Sequence, residues 1–406
     1  MKYLFILGRN VDLSVAEVLA YFEGIENSVL NYSLKKNALL IEVEKSLEKN
    51  IVDKFGGVVS IGEVISSGSV DEITNDLENK ILYYGTKNKL NYVLWNFASE
   101  DSKEIVLAYL KKRFRAEKLK ATEKKITGLI KLQTGKNVVN VVGLVDEQYF
   151  LFEESDEGKI KSQFSSEANK KIVFQSFEEV QKKPEGVFYF GKIVERCDYE
   201  ALEKRDMEKP VRRESLSISP RLAKILINLS QAKKGGKLVD PFCGIGTIIQ
   251  EALIMDIQAI GIDNDPEAIQ GAKKNLEWKG FSGKNYTLIN DDSKKVKIEF
   301  VDVLVSEPDL GEILRNSPSM EKIEKTLKNF ESLMIVVLSN FKKNVSGRFV
   351  FTAPLIRNGN KRISCNVQNI LERTKLKLVS GFPIHEFRED QIVGRDIFVF
   401  EKGERV

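Results

Sequence analysis

An α/β protein is predicted, with a doubly wound, Rossmann-like sheet following smaller α+β units, and two contrasts of texture predict it. From about Glu185 onward, short apolar strands alternate with longer helices, the pattern of a mostly parallel sheet. Before that, the first 70 or so residues run strand, helix, strand, strand, helix, strand, the order of a ferredoxin-like unit. At 406 residues the chain is long for one core, and about 150 residues per domain gives two to three.

Taken in order, Lys2 to Gly8 reads as a strand, and Asp12 or Ser14 stands where a cap would start a helix burying Val15, Val18, Leu19 and Phe22. Val29 to Leu34 and Ala38 to Val43 follow as strands, Leu47 to Phe55 as the second helix and Val58 to Ile65 as the last strand. The stretch 71–170 holds a helix-like Ile73 to Tyr83, a strand-like Asn91 to Phe97, a helix-like Lys103 to Phe114 and strands within Val138 to Phe152. The expected division is 1–70, 71–170, a linker over 171–200, and 201–406. In the last part, helices are expected over Leu222 to Leu229, Thr247 to Met255, Pro266 to Trp278, Glu321 to Phe341 and Val367 to Thr374. Strands are expected over Lys237 to Val239, Gln258 to Ile262, Tyr286 to Ile289, Val301 to Val305, Arg348 to Phe351 and Ile397 to Phe400.

Hydrophobic residues at 42% and charged residues at 30% fit neither wholesale disorder nor a membrane protein. Apolar runs such as Met334 to Leu338 fall far short of the roughly 20 residues a span needs. Tyr3 to Leu7 is cut off by Arg9 and is too short for the core of a secretory signal, so a cytoplasmic location is expected. Cys197, Cys243 and Cys365 are scattered and odd in number, and His385 is the single histidine. They make neither a disulfide framework nor a zinc site of the usual spacing, so no metal is expected. Cys243 and Cys365 read as packing or loop residues, and His385 as structural.

Residues 111–131 carry nine Lys or Arg against Glu117 and Glu123, while the whole chain is only +4. The basicity is therefore local. Such a run is commonly a solvated face, and it is also what binding a phosphate backbone needs. Lys111, Lys112, Arg113 and Arg115 are the candidate phosphate-binding residues.

The sharpest motif is Val239-Asp240-Pro241-Phe242-Cys243-Gly244-Ile245-Gly246-Thr247, a strand ending in a glycine-bearing turn that opens a helix. Gly244 and Gly246 let a ligand approach the backbone closely. A dinucleotide fingerprint wants a third glycine where Ile249 stands, and an acid at Asp240 suits a cationic amino group better than a pyrophosphate. The second strand ends in Gly261-Ile262-Asp263 followed by Asn264, where the Asp263 carboxylate can accept both hydroxyls of a ribose. A ligand with a ribose and no diphosphate is expected, and S-adenosylmethionine satisfies both conditions. Either element alone is also what a turn or a helix cap would need; in this order and spacing they indicate the cofactor. Asp291 and Asp292 end the third strand and can accept from the adenine amino group, with Asp292 favoured.

The fourth strand ends in Ser306-Glu307-Pro308-Asp309-Leu310-Gly311, the strand end where an acceptor should sit beside the cofactor. An exocyclic amine has its lone pair delocalised into the base, so its hydrogens must be drawn by a carboxylate and a backbone carbonyl. Glu307, with its own or the Pro308 carbonyl, meets that need. A Pro-Asp turn ending a strand is the plain alternative. No cysteine follows Pro308, which leaves carbon methylation through a thiol nucleophile without support.

With these motifs placed, the chain resembles the THUMP-containing RNA methyltransferases of the tRNA guanosine-N2 type over nearly its whole length. Leu4-Phe5-Ile6-Leu7-Gly8-Arg9-Asn10, Leu13 to Glu17, Arg205-Asp206, Lys209-Pro210, Arg212, Ser219 to Lys224, Asp240 to Thr247, Asp390-Gln391 and Gly394-Arg395 carry the likeness. It implies a class I methyltransferase domain over 201–406, a ferredoxin-like domain over 1–70 and a THUMP-like RNA-binding domain over 71–170. It also implies catalysis by Glu307, Pro308 and Asp309. Where that family has Asp or Asn, Pro, Pro, Tyr or Phe, this chain has Glu307, Pro308, Asp309 and Leu310. The carboxylate is one methylene longer, a shift of about 1 Å that can cost about a hundredfold unless compensated. The expected activity is methyl transfer from S-adenosylmethionine to an exocyclic amine of structured RNA, tRNA guanine N2 first. A DNA adenine-N6 or cytosine-N4 methyltransferase and a catalytically silent cofactor- and RNA-binding protein are the rivals.

Overall fold

The structure is a computed structural model. It describes every residue except 26, 125–128, 132–136, 140–144, 155–185, 214–217, 312–313, 315 and 404–406, with 129–131 and 137–139 described by backbone alone.

The N-terminal half is built on one eight-stranded sheet. Its elements are β1 (Lys2–Leu7), α1 (Val11–Gly24), β2 (Val29–Lys35), β3 (Ala38–Val43), a 3₁₀ turn (Ile51–Lys54), β4 (Val58–Gly68), α2 (Val70–Leu77), β5 (Lys89–Phe97), α3 (Glu100–Ala116), β6 (Lys120–Glu123), β9 (Glu147–Glu153) and β10 (Phe188–Arg196), with β7 (Leu129–Lys131) and β8 (Asn137–Val139) forming a separate hairpin. The order across the sheet is β2-β3-β1-β4-β10-β9-β5-β6. Phe5 packs edge to face on both Phe22 and Phe55 in a core shared with Val18 and Ile41, an arrangement that suits the ring quadrupoles.

Three expectations are corrected here. The helix expected over Leu47 to Phe55 is the single 3₁₀ turn, because Glu195 of β10 accepts from Asn50 N and Val52 N at 2.7 and 2.9 Å and anchors the segment from outside. The cap of α1 is Asn10, whose Oδ1 accepts from Leu13 N at 3.2 Å, while Ser14 instead donates to the Asn10 carbonyl. The described part of the expected linker 171–200 contains β10, which lies between β4 and β9. Its buried Phe188, Tyr189 and Phe190 explain why it joins the sheet.

The C-terminal half is a nine-stranded sheet ordered β13-β12-β11-β14-β15-β19-β17, with β16 and β18 at its margins. After α4 (Tyr199–Met207) and α5 (Pro220–Leu229) come β11 (Lys237–Asp240), α6 (Thr247–Ile254), β12 (Gln258–Asp263), α7 (Pro266–Trp278), β13 (Tyr286–Asn290) and β14 (Val303–Ser306). Then follow α8 (Met320–Phe341), β15 (Phe349–Asn358), β16 (Lys361–Ile363), α9 (Val367–Thr374), β17 (Leu376–Leu378), β18 (Ile384–Glu386) and β19 (Val393–Lys402). β13, β12, β11, β14 and β15 are parallel, and β19 runs antiparallel to β15. Leu226, Ile249 and Leu276 fill one face, while Phe330, Met334 and Phe341 fill the other. The order of strands through the sheet reverses between β11 and β14, which is where doubly wound sheets open a ligand crevice. Among the described residues no helix is long and apolar enough to cross a membrane.

The halves meet where α1 packs on α5. Glu17, fully buried, accepts from Gly56 N, Gly57 N and Asn228 Nδ2 at 2.7 to 2.8 Å. Arg221 Nε donates to the Gly56 carbonyl at 2.7 Å, and a Cβ on Gly56 would lie 1.9 Å from the Arg221 oxygen. Only glycine permits that approach.

Candidate active site

The β11 tip sets the centre. Asp240 is buried, and its Oδ1 accepts from Phe242 N at 3.1 Å and from Ser306 Oγ at 2.5 Å. Burial pushes its carboxyl up to about 7, against those two bonds. Ser306 closes β14, so this bond joins the tips of adjacent parallel strands. Pro241 is buried, and its carbonyl accepts from Ser293 Oγ. Phe242 is half-buried against the α8 core.

The turn that follows has Gly244 at φ +50° and Gly246 at φ +84°, conformations that favour glycine. A Cβ on Gly244 would meet nothing within 4 Å, whereas one on Gly246 would press on Ala272 of α7 at 3.1 Å. Gly244 thus leaves backbone open toward the crevice, and Gly246 lets α7 close on the loop. Thr247 opens α6 and accepts from the buried Lys209 Nζ at 3.3 Å. Asp263, at the β12 tip, accepts from Gly244 N through Oδ2 and from Asp265 N through Oδ1, both at 2.9 Å. Each oxygen therefore keeps one acceptor position. Asn264 is exposed. Asp291 is exposed and Asp292 half-buried, and both bond within their own turn: Asp291 Oδ1 accepts from Asp292 N, and Asp292 Oδ1 from Lys294 N.

Glu307 continues β14 with its side chain 9% exposed. Its Oε1 accepts from Arg395 Nε, and among the described residues its buried Oε2 has no partner. Pro308 is buried beside it. Asp309 is exposed, and its Oδ1 accepts from Gly311 N at 2.9 Å. It lines an open cavity of about 530 Å³ with Leu310 and the α8 residues Lys322, Lys325, Thr326 and Phe330. Among the described residues no hydrogen bond ties it to the Asp240, Ser306 and Glu307 cluster.

Cys243 is buried against Gly261, and burial raises its thiol well above the ordinary range. Cys365 is buried in the α8 core and pushed up to about 12. Neither is poised as a nucleophile. His385 Nδ1 bonds the fully buried Asp396, which also accepts from Ser364 Oγ.

Of the basic run, Lys111, Lys112 and Arg115 are exposed on α3. Arg113 is not free for a partner: it donates to Glu117, to the Glu78 carbonyl at 2.6 Å and to the Lys80 carbonyl. Its planar fork ties α3 to the α2–β5 connection. Lys125 and the side chain of Lys131 lie outside the described residues. α3 packs beside β5 and β6, toward the edge of the eight-stranded sheet opposite β2.

Sequence reasoning passed over Ser306, Arg395, Asn275 and Asn340. Asn275 of α7 holds Val211 N, Val211 O and Ile245 O at 2.9 to 3.0 Å, fastening the segment ahead of α5 to the glycine turn. Asn340 of α8 donates to the Ser293 and Val296 carbonyls and fixes the third-strand turn. Ser306 stood in the fourth-strand motif and Arg395 in the Gly394-Arg395 likeness, both without a role, while Asn275 and Asn340 carried no signal.

Two family models match. The RMKL-like methyltransferase domain covers residues 210–340, from the approach to α5 through α8. A DNA methylase model covers 65–274 and stops before β14. The chain is 36% identical over 115 residues to the tRNA (guanine(10)-N2)-dimethyltransferase of Methanothermobacter thermautotrophicus, 28% of this chain and about a third (33%) of that protein. It is 25% identical over 365 residues to the enzyme of that description from Methanocaldococcus jannaschii, 86% of this chain and 89% of that one. A protein of Methanothermococcus thermolithotrophicus described as "Probable tRNA (guanine(10)-N2)-dimethyltransferase" is 31% identical over 114 residues, 26% of this chain and 70% of that one.

Proposed function

The chain belongs to the family of the tRNA (guanine-N2) methyltransferases, and from that premise we propose that it transfers the methyl group of S-adenosylmethionine to N2 of a guanine in tRNA. The observation that carries this reading is the bond joining Asp240 to Ser306, which sets the cofactor end of β11 against Glu307 at the tip of β14.

The residues present fit the cofactor. A buried carboxylate at Asp240 matches a cationic amino group, the Gly244 backbone is open, and Asp263 keeps acceptor capacity for a ribose. Asp292 is the acceptor for the adenine amino group. When bound, S-adenosylmethionine supplies a methyl group activated by its sulfonium. Glu307 Oε2 accepts from the target amine, turns its lone pair out of conjugation with the ring, and stabilises the positive charge that develops on nitrogen. Pro308 stiffens the chain that presents the neighbouring carbonyl.

In this reading residues 1–70 are a ferredoxin-like unit and 71–170 a THUMP-like unit that holds the RNA, with Lys111, Lys112 and Arg115 on its phosphates. The DNA methylase likeness keeps a DNA amino-methyltransferase as the second reading, yet it ends before Glu307. Incubating the full-length protein with labelled cofactor and either unmodified tRNA or duplex DNA, then identifying the methylated nucleoside by mass, decides between them. N2-methylguanosine is expected from tRNA. Methyladenine or methylcytosine from DNA, or no transfer at all, would sink the guanine reading.

A further inference from the structure

Arg395 lies 88 residues from Glu307 and is brought to it by register alone. Ser306 stands opposite Phe351 on β15, and Arg395 of β19 opposite Pro354, three residues further along the same strand. From there the Arg395 side chain reaches across β15 to Glu307, leaving Oε1 taken and Oε2 buried. In the ion pair the carboxylate is an acceptor only, with lone pairs and no proton to give.

Bases that present an exocyclic amine differ in the ring atom beside it. Guanine flanks its N2 amine with N1–H, a donor, on one side and bare N3 on the other, so one of its edges offers two adjacent N–H groups. Adenine and cytosine place a bare ring nitrogen, an acceptor, next to theirs. An acceptor-only carboxylate suits the first edge and repels the second, whereas an amide or a protonated acid, which can also donate, suits the second.

Building on the guanine reading above, we propose that Arg395 is a positioning and specificity-determining residue. It holds the longer Glu307 side chain in register, replacing the constraint a shorter acid would supply, and keeps it an acceptor of two adjacent N–H groups. The pair thereby selects guanine over amines that have no ring N–H beside them.

The test uses full-length protein and tRNA transcripts carrying guanine or 2-aminopurine at position 10, the position in the relatives' names. 2-Aminopurine keeps the C2 amine and lacks N1–H. The parent should prefer guanine by at least about 100-fold. Arg395→Ala should lower kcat about 10- to 100-fold and shrink that preference at least about tenfold, with cofactor affinity by calorimetry within about twofold of the parent's as proof of folding. Arg395→Lys, which keeps the charge without the fork, should retain part of both. In a Glu307→Ala background, where no carboxylate is left to hold, Arg395→Ala should change the rate by less than about threefold. A full-rate Arg395→Ala enzyme with undiminished guanine preference overturns the proposal, as does an additive loss in the double variant. A parent inactive on the guanine transcript overturns the functional reading itself.

Discussion

Two buried glutamates mark two regions that burial alone would not distinguish. At the seam between the halves, Glu17 is fully buried and both its oxygens accept N–H groups, from Gly56, Gly57 and Asn228. At the strand-tip crevice, Glu307 has one oxygen held by Arg395, while the other, among the described residues, is buried without a partner. A buried carboxylate with both oxygens bonded to groups of the fold has little left to offer a substrate and serves the fold. One with an unbonded oxygen has capacity in reserve, the state expected of a group that waits for a ligand.

The largest expected effect tests the seam. Glu17→Ala strips the acceptor from three buried donors and should destabilise the protein by about 3 to 5 kcal/mol, with turnover per folded molecule near the parent's. Urea unfolding measures it, and a loss under about 1 kcal/mol would erase the contrast drawn between the two sites. Next, Glu307→Gln should leave folding and cofactor affinity in place and lower turnover by about 100-fold or more, equivalent to about 2.7 kcal/mol. Equal methyl transfer by parent and variant would remove Glu307 from the mechanism.

Asp240 sharpens the comparison through pH. Burial raises it from the ordinary 3.8 to about 7, so the folded chain holds a proton that the unfolded chain releases. Its contribution to stability therefore declines as pH rises from about 4 to 7. Binding a cationic amino group needs the ionised form, so affinity for S-adenosylmethionine should weaken by up to about tenfold per unit below pH 7. Calorimetry at pH 8 and pH 6 reads this, and a flat profile in the parent would mean that Asp240 does not face the amino group.

The smallest effect concerns the basic face of α3. Changing Lys111, Lys112 and Arg115 to Gln should flatten the slope of log affinity for tRNA against log salt, by up to about 0.7 to 0.9 for each phosphate no longer neutralised. Arg113→Gln, which breaks only bonds within the fold, should leave the slope alone. If the triple variant keeps the parent's slope, α3 is a solvated face.

The crevice was legible along the chain because its parts are short stretches whose spacing is their geometry. Asp240 through Thr247 is one strand, one turn and one helix start. The acids of the next two strands follow at the intervals that a β-α-β repeat imposes. Strand and helix existence followed from apolar periodicity in the same way, with most spans in the C-terminal half shifted by only a few residues. Where periodicity misled, at Leu47 to Phe55, the deciding group was Glu195, far along the chain and invisible to a local pattern.

What the amino-acid order determined by itself was thus the cofactor-loop pattern, the alternation that makes a doubly wound sheet, and the identity of Glu307 as the acid at the fourth tip. Tertiary structure alone decided which acids are satisfied. The partners of Glu17 come from the β4 approach and α5, that of Glu307 comes from β19, and Arg113 is claimed by the α2–β5 connection. Each of those pairings depends on strand register and helix packing between segments distant in the chain. A hydrogen bond formed within about 3 Å is fixed by that packing, and nothing in the local sequence around either partner specifies it.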